Sequence, residues 1–299
     1  MTSHARWLAV AVGMFLSSTP LVAQTPTSQT PVLAVAADSS VRQLIKLRDG
    51  STVLGRITQS WGDSARVEST SGTFMVRRNQ VSSVMLIAAS SIHDGVYWPE
   101  DPNSTRLFFG PTGRMLRKGE GYISNHWIFL MDGYAGITDR FSLGGAMSII
   151  PSTNILKNNV YFLSPKVAIT QSERFNTAMG VWVGAAPFSN AVGAVNSFGI
   201  AYGVATWGGR DGAITLGGGY GFAEGKLARN PVMMLGGTRR VSRRVSLVTE
   251  NWLFPNVDHP LISGGVRTHG DNLSWDFGLI TVPGSGNVLI PWFGAAWKF

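Results

Sequence analysis

The 299-residue chain has no cysteine, little charge, and no long apolar run beyond its first residues. The lack of cysteine excludes disulfides, a thiolate nucleophile, thiolate-bound zinc and a lipid-bearing N-terminal cysteine. Charged residues are 14% of the chain, against roughly 25% in ordinary globular proteins, while apolar residues reach 44%. Past the N-terminus no stretch of roughly 18 apolar residues occurs, which argues against a helical membrane protein. The formal net charge is +8, but the basic residues are scattered and form no helical stripe, so no nucleic-acid partner is expected. Of the five histidines, none has metal-ligand spacing, and GGGYGFAEG at 217–225 lacks the spacing of a dinucleotide fingerprint. Neither a metal nor a cofactor is expected.

What is abundant is glycine, 36 residues, with 15 Phe and 10 Trp. That composition points to many short strands. The opening MTSHARWLAVAVGMFLSSTPLVAQ has one arginine, an apolar run from Trp7 to Leu16 and a small, polar exit. This is the layout of a secretory signal peptide, residues 1–24, cleaved near Ala23 or Gln24. Residues 25–40, rich in Thr, Pro, Ser and Ala, read as a linker.

Residues 41–87 form a small β domain of short period-2 strands, turned at Asp49-Gly50, Trp61-Gly62-Asp63 and Ser71-Gly72. Its pattern V-x-L-x-D-G-S-x-L-x-G-x-I resembles the SH3-like or Sm-like small barrels of bacterial envelope proteins. Seven basic residues, Arg42, Lys46, Arg48, Arg56, Arg66, Arg77 and Arg78, face three acidic ones. They make either a docking surface for a periplasmic partner or a solvated surface. A second linker spans 88–103.

From 104 to 299 the texture is of repeated alternation. In LSWDFGLIT, Leu273, Trp275, Phe277 and Leu279 oppose Ser274, Asp276 and Gly278. A soluble sheet places charge opposite its apolar face; here the opposite face is Gly, Ala and Ser. A transmembrane barrel has that arrangement, with the apolar face to lipid and the small face to the lumen. Connections alternate as well. TDR, SERFN, GGRDG, RRVSRR and HGDN are tight, and those between them, including 111–120, are longer, apart from PGSGN. The spacing predicts an all-β, antiparallel up-and-down barrel of about twelve strands. Its first strand begins near Thr105, and 121–137 is read as its second. An even count puts both chain ends on the short-turn side, which is periplasmic in such barrels.

The last eight residues, WFGAAWKF, resemble the insertion signal of bacterial outer-membrane barrels, carried here by Phe293, Trp297 and Phe299. The resemblance implies an outer-membrane location, lipid neighbours, and the barrel-insertion machinery as a partner in assembly. Arg140, Arg174, Arg210, Arg240, Arg243 and Arg244 gather at the tight turns, where lipid phosphates would meet them.

Four charges fall on inward-phase positions: Lys166, Glu250, Arg267 and Asp276, on the fourth, ninth, tenth and eleventh strands. They are the candidates for a charge-selecting constriction or for a stiffening network inside the wall. The leading expectation is a barrel that passes or binds a small solute in a roomy lumen, and not an enzyme. One alternative is a structural barrel anchoring residues 41–87. Another is a lipid hydrolase, because twelve-stranded outer-membrane phospholipases use Ser, His and Asn on the lipid-facing wall. Here Asn125 and His126 are neighbours on opposite faces, with no evident serine in register.

Overall fold

The alternating segments become long antiparallel strands in the structure, a computed structural model that describes residues 32–38, 41–87, 89–151, 159–186, 196–255, 257–284 and 288–299. The expected signal peptide and most of the 25–40 linker lie outside the described residues. The chain divides into two compact units, Met1–Tyr97 and Trp98–Phe299.

In the first unit β1 (Arg42–Leu47), β2 (Thr52–Trp61), β3 (Ser64–Ser69), β4 (Gly72–Arg77) and β5 (Val81–Ile87) form one antiparallel sheet in the order β4-β3-β2-β1-β5. The period-2 apolar positions Ile45, Ile57, Val67, Val76 and Val81 make its core. Leu33 joins that core, although its surroundings in the sequence read as linker. Gln43 fixes it there: the buried side chain donates to Ala34 O and accepts from Ile57 N–H, both at 2.8 Å. A short hairpin, β6 (Ile92–His93) and β7 (Val96–Tyr97), follows within the expected second linker.

The second unit is a closed barrel of twelve strands. They are β8 (Gly121–His126), β9 (Leu130–Thr138), β10 (Phe141–Ser148), β11 (Tyr161–Gln171), β12 (Phe175–Ala186), β13 (Asn196–Gly209), β14 (Gly212–Ala223), β16 (Val232–Ser242), β17 (Val245–Leu253), β18 (Ile262–His269), β19 (Leu273–Thr281) and β20 (Leu289–Lys298). The two-residue β15 (Lys226–Leu227) extends β14 beyond the ring. Each strand pairs with its neighbour in sequence, and β20 pairs with β8 to close the seam. Closure leaves no sheet edge for lipid to solvate. On β19, Leu273, Trp275, Phe277 and Leu279 are exposed, whereas Ser274 and Asp276 are 1% exposed. The exposed face is therefore the apolar one, as a lipid-facing wall requires. Among the described residues no helix is long and apolar enough to cross a membrane; the strands do the crossing.

Twelve strands form, but two of the expected elements differ. Residues 104–120 contribute no barrel strand and no external loop; 104–116 run inside the barrel. The stretch 121–137 is instead two strands, β8 and β9, around a turn at 127–129. That turn lacks glycine and holds Trp127 and Ile128 in left-handed backbone, φ 49° and 70°. Such backbone is uncommon for large side chains, so the turn gave no sequence signal. Asn125 stabilises it by accepting the Ile128 N–H at 3.0 Å.

Candidate functional site

Residues 101–116 occupy the lumen, and the exposed Arg117, Lys118 and Gly119 lead out to β8. The Leu107 N–H bonds Gly110 O at 2.8 Å and the Thr112 N–H bonds Thr105 O at 3.0 Å, which folds 105–112 into a tight hairpin. Its tip, Leu107-Phe108, is buried against the inward side chains Ala178, Val204, Met234, Val248, Ile280 and Trp292. Phe108 packs on Trp292 with ring centroids 5.7 Å apart, and Phe109 meets Trp182 edge-on at 5.0 Å. The wall glycines are part of this fit. A Cβ on Gly278 would lie 3.0 Å from Phe108 Cζ, and one on Gly236 would collide with Leu107 Cδ1. The small inward residues thus make room for protein, where the sequence suggested room for solute.

Polar anchors surround the tip. Arg267, 0% exposed, donates from Nε to Asp276 Oδ1 at 2.6 Å across the β18–β19 pair, whose register sets the two residues opposite each other. Its Nη1 reaches Asp101 Oδ2 at 3.1 Å and Asn103 O at 3.0 Å, and its Nη2 reaches Leu107 O. Arg106 adds an Nη1 bond to Asp276 Oδ2 at 3.0 Å. Burial works against charge on Asp101, but the Arg267 guanidinium and His269 outweigh it and hold that carboxyl far below the usual carboxylate range.

Glu250 accepts the Phe109 and Gly110 N–H groups, each at 2.9 Å, and Trp252 Nε1 at 2.8 Å. Lys166 Nζ donates to Arg114 O at 2.7 Å. All four inward-phase charges therefore point into the lumen. Only Arg267 and Asp276 meet each other; Glu250 and Lys166 hold the backbone of the inner segment. Arg240, placed among the lipid phosphates by its turn position, is instead buried. It donates to Pro99 O at 2.6 Å and lies over the Trp98 ring.

Asp101, Asn103, Arg106, Asp132 and His269 were not singled out in the sequence. One signal was present: Lys166 and Glu250 face inward without an opposite charge beside them on the wall, so their partners had to lie elsewhere inside.

Among the described residues, two Ser–His–Asp sets occur within the lumen. Asp132 accepts from Ser124 Oγ and lies 3.2 Å from His126 Nε2, while Ser124 Oγ is 3.5 Å from that same nitrogen. Serine and carboxylate share one ring nitrogen, so the histidine cannot relay a proton between them. The second set has relay order, with Ser246 Oγ 2.7 Å from His269 Nε2 and His269 Nδ1 3.5 Å from Asp101 Oδ1. None of the three cavities described below is lined by Ser246 or His269. Asn125, on the outer face, is engaged in its own turn.

Three cavities run in file along the inner segment. The first, about 230 Å³, lies at the short-turn end among Glu100, Arg114, Arg117, Glu173, Arg210 and Lys298. The second, about 100 Å³, lies deeper, with Arg106, Tyr122, Asp132, Tyr134 and Lys166 in its wall; Thr105 and Leu116 line both. The third, about 20 Å³, continues past Pro111, Trp182 and Tyr202, which it shares with the second.

No protein-family model and no curated protein matches the chain. Solved structures similar to it are bacterial outer-membrane barrels. A KdgM porin in complex with disordered oligogalacturonate has a TM-score of 0.45 at 8% identity, over 60% of this chain and 98% of that one. The NanC porin has a TM-score of 0.40 at 10% identity, over 60% and 98%. Outer membrane phospholipase A from Escherichia coli has a TM-score of 0.36 at 6% identity, over 62% and 96%. These likenesses are distant, and nothing about the lumen follows from them.

Proposed function

We propose that the protein is an outer-membrane β-barrel that binds a small solute beside its inner segment and passes it when that segment shifts. The observation that carries this reading is the file of three cavities. The segment seals part of the lumen through Leu107 and Phe108, which pack against strands from β12 to β20, yet leaves space beside it, bounded first by β8–β13 and then by β12–β14, β16 and β17. Adjacent cavities share wall residues, Thr105 and Leu116 and then Pro111, Trp182 and Tyr202. The signal peptide expected at 1–24, the apolar outer wall and the aromatic end Phe293, Trp297 and Phe299 support the outer-membrane location. The even strand count supports a periplasmic N-terminal unit. Lys166, Glu250, Arg267 and Asp276 act here as holders of the inner segment and so as determinants of its opening.

Planar-bilayer recording tests the proposal. The wild-type barrel should be mostly closed, with rare openings, and Leu116→Gly should join the first two cavities and raise conductance. If wild type and Leu116→Gly both stay silent, and neither admits solute into liposomes, passage is wrong. The apolar seal around Leu107 and Phe108 favours one second reading, a closed barrel that anchors residues 41–87 for a periplasmic partner. In that case the isolated N-terminal unit, taken from residue 32 so that Leu33 stays in its core, should retain a partner or cell-wall material on a column.

A further inference from the structure

The Arg106 guanidinium is half used. Its Nη1 donates to the carbonyls of Leu107 and Phe108 and to Asp276, whereas Nε and Nη2 are buried and meet no acceptor. Those two nitrogens form the side-on edge of the guanidinium, a pair of parallel N–H groups spaced to match the two oxygens of a carboxylate. Arg106 is 3% exposed, so bulk water does not serve that edge, and an unmet buried donor on a charged group is costly.

Arg106 lines the middle cavity. Ser142, in the same wall, also has a buried hydroxyl without a partner. Lys166 adds a further N–H donor there, with one hydrogen bond to Arg114 O. The one carboxylate in the wall, Asp132, has its two oxygens engaged by Ser124 and His126. The remaining wall is aromatic, with Tyr122, Tyr134, Phe162 and Trp182 prominent. The volume, about 100 Å³, suits a molecule of roughly four or five heavy atoms, given that about 150 Å³ admits benzene.

We propose that the middle cavity is a binding site for a small organic carboxylate, its two oxygens on the Nε–Nη2 edge of Arg106 and its short body against the aromatic wall. The assignment rests on reading the lumen as a solute site, and it names the class of solute. Charge alone would make the site indifferent to shape; the fork and the aromatic lining select a planar oxyanion with a hydrocarbon end.

Equilibrium binding to the full chain in detergent micelles, followed by ligand-observed NMR, tests it with propionate, propionamide and propylammonium as probes. Propionate should bind saturably and the other two should not. Arg106→Lys keeps the charge but loses the fork, and should weaken propionate by about tenfold or more. Because Arg106 also holds the hairpin, a second variant approaches from the wall. Ala146→Phe should fill the cavity and abolish binding, while heat-dependent gel mobility still reports a folded barrel. The assignment is overturned if propionamide binds as well as propionate, if Ala146→Phe leaves binding unchanged, or if no saturation appears by about 50 mM, a binding free energy too small to matter. The assay needs no flux. Binding without conductance keeps this inference and removes passage; conductance without binding does the reverse.

Discussion

Phe299, the last residue, and Gly121, the first residue of β8, exchange two backbone hydrogen bonds: Gly121 N–H to Phe299 O at 3.0 Å and Phe299 N–H to Gly121 O at 2.9 Å. The barrel seam therefore reaches the final residue, and its ring lies over the glycine. A Cβ on Gly121 would sit 2.7 Å from Phe299 Cε2. Gly121→Ala should swing the exposed Phe299 ring off the seam and cost less than about 1 kcal/mol, measured as a small drop in the urea midpoint for loss of the fast-migrating folded form. Deleting Phe299 should lower outer-membrane levels without blocking export; normal levels would contradict an insertion role for the tail.

Arg267 is the centre of the lumen network, and its removal strands Asp276 and Asp101 in a buried setting. Arg267→Leu should destabilise the barrel by about 3–5 kcal/mol, with Arg267→Leu/Asp276→Leu less damaging than the single change. With Asp276→Leu measured alone, a double-variant loss equal to the sum of the two single losses would mean that the pair is not coupled.

Glu250 presents one carboxylate oxygen to two consecutive amides of the inner hairpin. Glu250→Ala leaves the Phe109 and Gly110 N–H groups unmet, a cost of about 1–3 kcal/mol. Amide exchange at those two residues should accelerate, and openings in planar bilayers should become more frequent. Unchanged exchange would show the hairpin to be held by its apolar tip alone.

A pH dependence follows from the Glu120–Lys298 pair, 3.0 Å apart beside the seam. Burial opposes ionisation of Glu120, and the Arg117 N–H and the Lys298 ammonium outweigh it, so its carboxyl lies below the ordinary 4.5. A depressed carboxyl contributes stability that is full above the unfolded value and lost as pH falls through the folded one. Seam stability should hold from neutrality down to about 4.5 and decline below it. Glu120→Gln should remove that decline; an identical acid profile in the variant would assign it to other groups.

The barrel was legible because each crossing strand states its two faces twice over, once in large apolar residues and once in small ones. Phe293, Trp297 and the tight turns at 138–140 and 269–272 needed nothing beyond periodicity. The interior was not legible in the same way. TRLFFGP at 105–111 has the apolarity of a strand, and only the Glu250 and Asp276 carboxylates and the Arg267 guanidinium it meets on β17, β19 and β18 make it a hairpin inside the lumen. The β8–β9 turn was missed for the opposite reason. Its left-handed residues are Trp127 and Ile128, held by Asn125, without glycine to mark the reversal. These two differences offset one another, so twelve strands were expected and twelve form, with a different first one.

The inner segment also constrains the order of events in biogenesis. Residues 98–120 run directly into β8, the strand on which β20 must finally dock. The hairpin reaches the wall as an upstream part of the same thread, with Arg267, Asp276 and Glu250 arriving on strands made late. Its anchors on β17, β18 and β19 exist only once most of the sheet has formed, and the seam at Gly121 and Phe299 shuts after them. The hairpin can therefore be fixed in the lumen only in the interval between formation of β17–β19 and closure of the seam, which makes its docking one of the last steps of assembly.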